Sequence, residues 1–501
     1  MSYKAKLSQL DRDQPRSLTS QIVDAFAEAI GGGELQPGEK LPPTRELAAL
    51  AGVNHLTAAR AYRRLAELGL VSGRVGKGTF VRHTAPIAPE AAEDATAWQS
   101  YALPDELETY GGQLISDGFR QVGREDVIPL IVGHPGEGLF PVAEIEQIAR
   151  AVLAEQGPRL HPYGDIEGTG ELRRELAQLG RRQGAQDGPD DIVVVTGASQ
   201  GLTVVARAIL RPGDAAACES PTFPGMIESL RGAGASILPI PVDEDGLDVD
   251  AFETLLERRT IRLLGLQGRL QNPTGRDLSD ERRRRLIGLA RRHGFFIVED
   301  AVYADLRFEG EGPPPLRADA PEHVIHISSL SKTTSAGLRT GWVAASGPVR
   351  DRIVREKRGD DLHSATLTQM IAARFFAEGG YERQLARAVP FYRERFEALW
   401  DAIDEHLGGV VRAQRPLGGG TVWLTLYEPL DERELYAEAL RHGVNFLPGG
   451  AMTPDRPTRT HVRLAFGYAD PPELREGVRR LAAAIRAVGR AQPRREALPI
   501  T

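Results

Sequence analysis

The sequence predicts an α/β protein in which a large domain on a mainly parallel sheet follows a small helical module and a linker. Three observations carry this. From about residue 114 onward, short apolar runs alternate with helical stretches, as at 192–195, 215–218, 237–240, 263–266, 295–298 and 324–327. Strands covered by helices on both faces read as such near-continuous runs. The first 83 residues instead show short helical periods broken by Gly and Pro, then two strand-like runs about a Gly-rich turn. Finally, 501 residues is long enough for more than one domain.

Composition places the chain among ordinary soluble globular proteins, with 41% apolar and 26% charged residues. No apolar run approaches a membrane span, and the N-terminal Met-Ser-Tyr-Lys-Ala-Lys has no apolar signal core. The one cysteine, Cys218, has no partner for an intramolecular disulfide, which fits a reducing, cytoplasmic setting. Charge is unevenly spread. Residues 1–81 hold 11 Lys/Arg against 8 Asp/Glu, a net +3, which leaves −10 for the rest of a chain of net −7. A basic module on an acidic body suits a polyanionic partner.

Within the module, residues 17–30 repeat apolar side chains at 18, 22, 23, 26 and 30, and Gly31-Gly32-Gly33 ends that helix. Thr44 is placed to cap a short helix over 45–51, which Gly52 closes. Asn54 can cap the next helix, 55–68, which turns Ala58, Ala61, Tyr62 and Leu65 inward and leaves His55, Thr57, Arg60 and Arg64 outward. Two strands, about 70–74 and 79–82, flank Gly76-Lys77-Gly78. Two helices about a tight turn, then a basic hairpin, describe a winged helix-turn-helix. Its second helix would set His55, Thr57 and Arg60 at base edges of duplex DNA, with Arg45 and Lys77 on phosphates. Leu-Pro-Pro-Thr-Arg-Glu-Leu-Ala, Ala-Tyr-Arg-Arg-Leu-Ala-Glu-Leu-Gly-Leu-Val and Gly-Lys-Gly-Thr-Phe-Val resemble the GntR-type DNA-binding domain over residues 17–82. Leu56 departs from that pattern, which often has a polar residue there, and could instead meet a thymine methyl.

These patterns divide the chain into a DNA-binding domain at 1–83, a linker at 84–112, a large domain at 113–489 and a tail at 490–501. The linker carries Pro86, Pro89, Pro104 and several alanines without apolar period. As a coil it spans about 30 Å. After residue 346 helices lengthen and strands thin out, which predicts a smaller α+β lobe.

The chemistry gathers in residues 327–342, Ile-Ser-Ser-Leu-Ser-Lys-Thr-Thr-Ser-Ala-Gly-Leu-Arg-Thr-Gly-Trp. Unprotonated, the Lys332 amine can form a Schiff base with a carbonyl cofactor. Arg339 offers a planar fork of donors to a phosphate, and Ser329 and Ser331 add hydroxyls. The stretch suits a small phosphorylated aldehyde, though a solvated loop could carry the same residues. Thr196-Gly197-Ala198-Ser199-Gln200-Gly201 joins a strand to a helix and presents backbone N–H groups to an anion. Gln271-Asn272-Pro273-Thr274-Gly275 is, on composition, a tight turn. In the stretch 295–303, Asp300 ends a buried strand, where a carboxylate is costly without a positive partner or a helix to cap. Strand alternation turns Glu299 to the opposite face.

The lysine loop resembles the Ser-x-Ser-Lys-x(6)-Arg signature of fold-type I pyridoxal-phosphate aminotransferases. The other motifs, with Pro221-Thr222-Phe223-Pro224-Gly225, follow in family order. The resemblance implies pyridoxal 5′-phosphate on Lys332 and no metal. It implies Ala198, Ser199, Ser329, Ser331 and Arg339 around the phosphate, Phe223 stacked on the ring, and Asn272 and Tyr303 on the phenolic oxygen. Asp300 would meet the protonated ring nitrogen, so that Lys332, Asp300 and Tyr303 are the catalytic set. Phe223 stands where Tyr or Trp is commoner, but stacking needs only a π face. Tyr163, in His161-Pro-Tyr-Gly-Asp, resembles the tyrosine that reaches the cofactor region across a dimer interface. Arg463, in Thr460-His-Val-Arg-Leu, matches the arginine that grips an α-carboxylate.

Both ends together resemble the MocR family of bacterial regulators. That implies a head-to-tail homodimer and a transcription regulator responding to an amino acid, an amine or pyridoxal phosphate itself. The alternative is an active aminotransferase carrying a DNA-binding domain, since residues for a half-reaction are present.

Overall fold

The structure is a computed structural model that describes residues 3–8, 10, 18–31, 34–36, 38–67, 70–74, 78–81, 110–455 and 457–491. Contacts divide the chain into two compact units, 1–107 and 108–501. Of the expected linker, 84–109 lie outside the described residues, and 110–112 open the helix Tyr110–Arg120. Of the expected tail, 490 and 491 end the helix Pro471–Ala491 and the remainder lies outside. Among the described residues, no helix is long and apolar enough to cross a membrane.

The first unit holds helices Tyr3–Leu7, Leu18–Gly31, Thr44–Leu50 and His55–Glu67, then strands β1 (Val71–Arg74) and β2 (Gly78–Val81). The helix period decides the packing: Ile22 and Phe26 meet Ala58, Ala61 and Leu65, all fully buried. Asn54 caps the fourth helix, its Oδ1 accepting the Thr57 N–H at 2.7 Å. Thr44 is not a cap. Pro43 takes that position in extended backbone, without a side-chain bond, because the Pro42-Pro43 pair delivers the chain extended and the helix begins at Thr44 itself. The strands pair antiparallel, Val71 opposite Val81 and Arg74 opposite Gly78. Their turn, including Gly76 and Lys77, lies outside the described residues.

In the second unit, strand β3 (Ile128–Pro129) lies apart from the main sheet. That sheet contains β4 (Ile192–Val195), β5 (Ala215–Ser220), β6 (Ser236–Asp243), β7 (Gly246–Leu247), β8 (Ile261–Leu266), β9 (Phe296–Asp300), β10 (Val324–Ser329) and β11 (Gly341–Ala344). Their order is β4-β11-β10-β9-β8-β5-β6-β7. The strands from β10 through β6 are parallel; β11 runs antiparallel between β10 and β4. The run Ile-Val-Val-Val of β4 shows why such strands read as continuously apolar. Val193 and Val195 enter the core under helices Ala198–Ile209 and Pro224–Gly232, while Ile192 and Val194 enter one under Gly170–Arg182 and Thr366–Ala377. Each such side chain contributes roughly 1.5–3 kcal/mol by leaving water.

The smaller lobe follows: β12 (Val411–Ala413), β13 (Thr421–Leu426), β14 (Val444–Asn445), β15 (Leu447–Pro448) and β16 (His461–Ala465). Four of them form an antiparallel sheet in the order β12-β13-β16-β15, and β14 pairs with β3. Helices Gly380–Leu407 and Pro471–Ala491 cover it through a core that includes Tyr392, Phe396, Leu464 and Phe466. Strand β3 is only two residues long, Val444 and Asn445 of β14 pairing with Ile128 and Pro129.

Candidate functional site

The carboxyl ends of β4, β8, β9 and β10 open onto one cavity of about 650 Å³. Ligand crevices of open α/β sheets lie at this edge. Ala198, Ser199, Phe223, Asn272, Asp300, Tyr303, Ser329, Ser331, Lys332, Arg339 and Arg463 all line it. Lys332 and Tyr303 meet at one acceptor: Nζ and the phenol each donate to the Gly133 carbonyl at 2.9 Å. The ammonium also sits 5.4 Å from the Tyr303 ring centre.

Asp300 ends β9 facing the cavity, and Glu299 faces away, as alternation requires. Their environments drive them apart. Burial pushes the Asp300 carboxyl up to about 6, against the Val302 N–H at 3.2 Å and the smaller pulls of Lys332, His326 and Gln267. Glu299 is buried as well, but a bond to His326 Nδ1 at 2.9 Å and the Leu316 N–H outweigh that and bring it down to about 2. The carboxylate that lacks a cation in contact is the one aimed into the cavity.

At the other end, Gly197 (φ 115°) turns β4 into the helix Ala198–Ile209. A Cβ there would come within 2.6 Å of the Arg339 guanidinium, so only glycine lets arginine and helix N-terminus converge. Arg339 itself has φ 48°, a strained conformation for a side chain of that size. The converging positive charge and N–H groups form an anion cradle.

Two further buried polar groups are left open. Asn272 Oδ1 has no hydrogen-bond partner, and neither has Arg463 Nε, although Arg463 also donates to the Ile131 carbonyl. Burial lowers the Arg463 guanidinium to about 10. An uncompensated carboxylate, an amide whose Nδ2 can donate, an anion cradle and a lysine fit pyridoxal phosphate: a basic ring nitrogen, a phenolic oxygen, a phosphate and an aldehyde.

Tyr163 is not part of this cavity. It is 81% exposed and packs edge-on against His363 at 5.7 Å. In the first unit, Arg45, His55 and Arg60 are exposed, Thr57 is half-buried, and Lys77 lies outside the described residues. Leu56 is 69% exposed beside them.

Several residues that shape the site escaped sequence reasoning. Gln267 Oε1 accepts the Asn272 N–H at 2.7 Å, and its own backbone N–H reaches the buried Glu219 at 2.9 Å. Tyr392 and Gln384, on the long helix of the smaller lobe, hold the carbonyls of Lys332 and Thr333 at 2.9 and 3.0 Å. Gln267 carried one signal, a polar residue directly after an apolar strand; Gly133, Gln384 and Tyr392 carried none.

The chain was compared with known proteins. The family model "Aminotransferase class I and II" matches residues 125–481, and "Bacterial regulatory proteins, gntR family" matches 18–81. An α-aminoadipate aminotransferase, LysN of Thermus thermophilus, solved with N-(5′-phosphopyridoxyl)-L-leucine, superposes with a TM-score of 0.70 at 32% identity. The match covers 76% of this chain and 96% of that one. The uncharacterized HTH-type transcriptional regulator YdcR of Escherichia coli is 30% identical over 86% of this chain and 90% of its own length. The probable rhizopine catabolism regulatory protein MocR of Rhizobium meliloti is 28% identical over 96% of both. Both regulators span the two units, and all of the cavity's lining except Ile115 and Phe119 falls within the residues that the aminotransferase model matches. The chain belongs to the class I and II aminotransferases, in the MocR-type architecture that places a gntR-family DNA-binding domain before the pyridoxal-phosphate domain.

Proposed function

We propose that this chain is a DNA-binding transcription regulator whose pyridoxal-phosphate domain senses an amino acid, an amine or the cofactor itself. The observation that carries it is the pairing, in one chain, of an exposed basic helix with a cavity where Lys332, Asp300, Asn272 and Arg339 converge. Bound there, pyridoxal phosphate supplies an aldehyde that condenses with amines and a ring that accepts electrons. The protein's part is to hold and to tune. Arg339, Ser199, Ser329, Ser331 and the Ala198 N–H would hold the phosphate, and Phe223 the face of the ring. Asp300 would keep the ring nitrogen protonated, regaining in exchange the charge partner it lacks. Asn272 and Tyr303 would share the phenolic oxygen, and Tyr303 with the Gly133 carbonyl would orient the Lys332 amine. Arg463 would take a ligand carboxylate.

The domain limits proposed from the sequence, with a linker over 84–112, let a DNA module reach a neighbouring subunit. Tyr163, exposed and outside its own chain's cavity, suits a head-to-tail homodimer in which it faces the partner's cofactor.

Borohydride reduction followed by peptide mapping tests the core of this reading: the pyridoxyl group is expected on Lys332. Its appearance on another lysine, or no uptake on reconstitution, would overturn it. Steady turnover with pairs of amino donors and keto-acid acceptors would favour an active aminotransferase instead.

A further inference from the structure

Setting aside the groups that would hold the cofactor, the remaining end of the cavity has a distinct character. Its apolar lining is Ile115, Phe119, Ile131 and Leu447, with His134 beside them turned onto Tyr468, and among the described residues its one buried arginine is Arg463. Leu447 is the cross-strand neighbour of Arg463, so apolar wall and guanidinium stand on adjacent strands. Arg463 meets no carboxylate among the described residues, and its Nε is unpartnered. A buried guanidinium in that state asks for an anion from the ligand.

Ile115 and Phe119 lie one turn apart on the helix Tyr110–Arg120 and so share a face. The Phe119 ring is 52% exposed, a large apolar surface left at the cavity's edge. The helix itself is held in place along the adjacent face, partly by the same Ile131 that walls the cavity. Leu114 is buried, the Gly118 carbonyl accepts from Asn445 Nδ2 at 2.8 Å, and Ile131 packs where a Cβ of Gly118 would stand. The other charged groups at the cavity rim do not invite a second ligand carboxylate. Arg207 is already paired with Asp360, and Glu228 is itself acidic.

Resting on the regulator reading above, we infer that the effector is an α-amino acid with an uncharged, apolar side chain, branched or aromatic. Its carboxylate neutralises Arg463 and its side chain covers Ile115 and Phe119. Simple amines leave Arg463 uncompensated. Dicarboxylic amino acids bring a second charge against an apolar wall and Glu228. Among the described residues, the wall helix is also the first element of the second unit after the stretch leading from the DNA module. A ligand that packs on it therefore touches the segment through which the two units are joined.

The test titrates the reconstituted full-length protein with L-alanine, L-leucine, L-phenylalanine, L-glutamate, L-lysine and propylamine, by calorimetry and by the visible absorption of the cofactor. Leucine or phenylalanine is expected to bind at least tenfold more tightly than alanine, glutamate, lysine or propylamine. Phe119→Ala should shrink the ratio of phenylalanine to alanine affinity about tenfold while leaving cofactor content unchanged, a signature that general loss of structure would not produce. Phe119→Leu should restore most of it. Glutamate, lysine or propylamine binding as tightly as phenylalanine overturns the inference, as does binding by none of the six or a ratio unmoved by Phe119→Ala. Operator titration in parallel separates the two ideas. The expected ranking without any change in DNA affinity would uphold the ligand class inferred here and sink the regulator reading.

Discussion

Asp300 and Glu299 are adjacent, equally buried and opposite in behaviour, and the difference is one of neighbours. Glu299 has His326 in contact and a backbone N–H; Asp300 has the Val302 N–H and the Gln267 side chain, no cation in contact, and an open cavity. The pH consequence follows from the sign. The folded Asp300 carboxyl, at about 6, holds a proton that the unfolded chain, near its ordinary 3.8, has released. Without cofactor, stability should therefore fall as pH rises from about 4 to about 6, by roughly 3 kcal/mol for two pH units. Asp300→Asn should remove this contribution to the slope, read from urea midpoints at pH 4.5 and 7 against wild type, leaving that of Glu219, which burial pushes up to about 8, and should weaken cofactor retention. An unchanged slope would show that Asp300 is ionised without help. Glu299→Ala disturbing the cofactor spectrum more than Asp300→Asn would contradict the face assignment.

Among the elements, the fourth helix of the DNA module is the one whose two faces have separate tasks. Ala58, Ala61 and Leu65 pack it against Phe26, which leaves His55, Arg60 and the half-buried Thr57 on the other side. Arg45, on the preceding short helix, is expected to touch phosphate only. Arg45→Ala should weaken binding to operator and random duplex alike and reduce the slope of log affinity against log salt by about one. Arg60→Ala should instead cost about 1–3 kcal/mol on the operator and little on random DNA. Equal losses on both duplexes for both variants would argue against this docking. In the second unit the corresponding element is the turn from β4 into the helix Ala198–Ile209. There Gly197 makes room for Arg339, and strain at Arg339 accompanies the close approach.

At the scale of the whole chain, the question is whether cofactor domain and DNA module form one device. Lys332 is far along the chain from any base-contacting residue, so Lys332→Ala should leave operator binding intact. A ligand couples to DNA only by favouring one of two states of the protein. Coupling of about 1–3 kcal/mol would shift wild-type operator affinity roughly 5- to 150-fold on effector addition. The variant should lose that shift. Titration of operator with both proteins, with and without effector, decides it; an undiminished response in Lys332→Ala would mean the lysine chemistry does not drive the switch.

The sequence by itself determined the class of cofactor and the DNA module, because the motifs that carry their family resemblances are local. A strand of four apolar residues, the acid that ends it, and a lysine flanked by hydroxyls can be read within one window; so can an Asn capping a helix with one polar face. Thr44 shows the limit even there, since the two prolines before it decided how the helix starts. The tertiary structure alone decided what these groups face. Lys332 and Tyr303 share an acceptor 199 and 170 residues away, and Arg463 bonds to a carbonyl 332 residues away. Nothing in a local period encodes such a partner. The same holds for β11, Gly341–Ala344, which is absent from the apolar runs read above and which β10 and β4 claim from either side. It holds too for the wall made by Ile115 and Phe119, which the sequence shows only as one face of a helix. Backbone and side-chain periods are set by neighbours a few bonds away, whereas a cavity is set by which distant surfaces exclude water together.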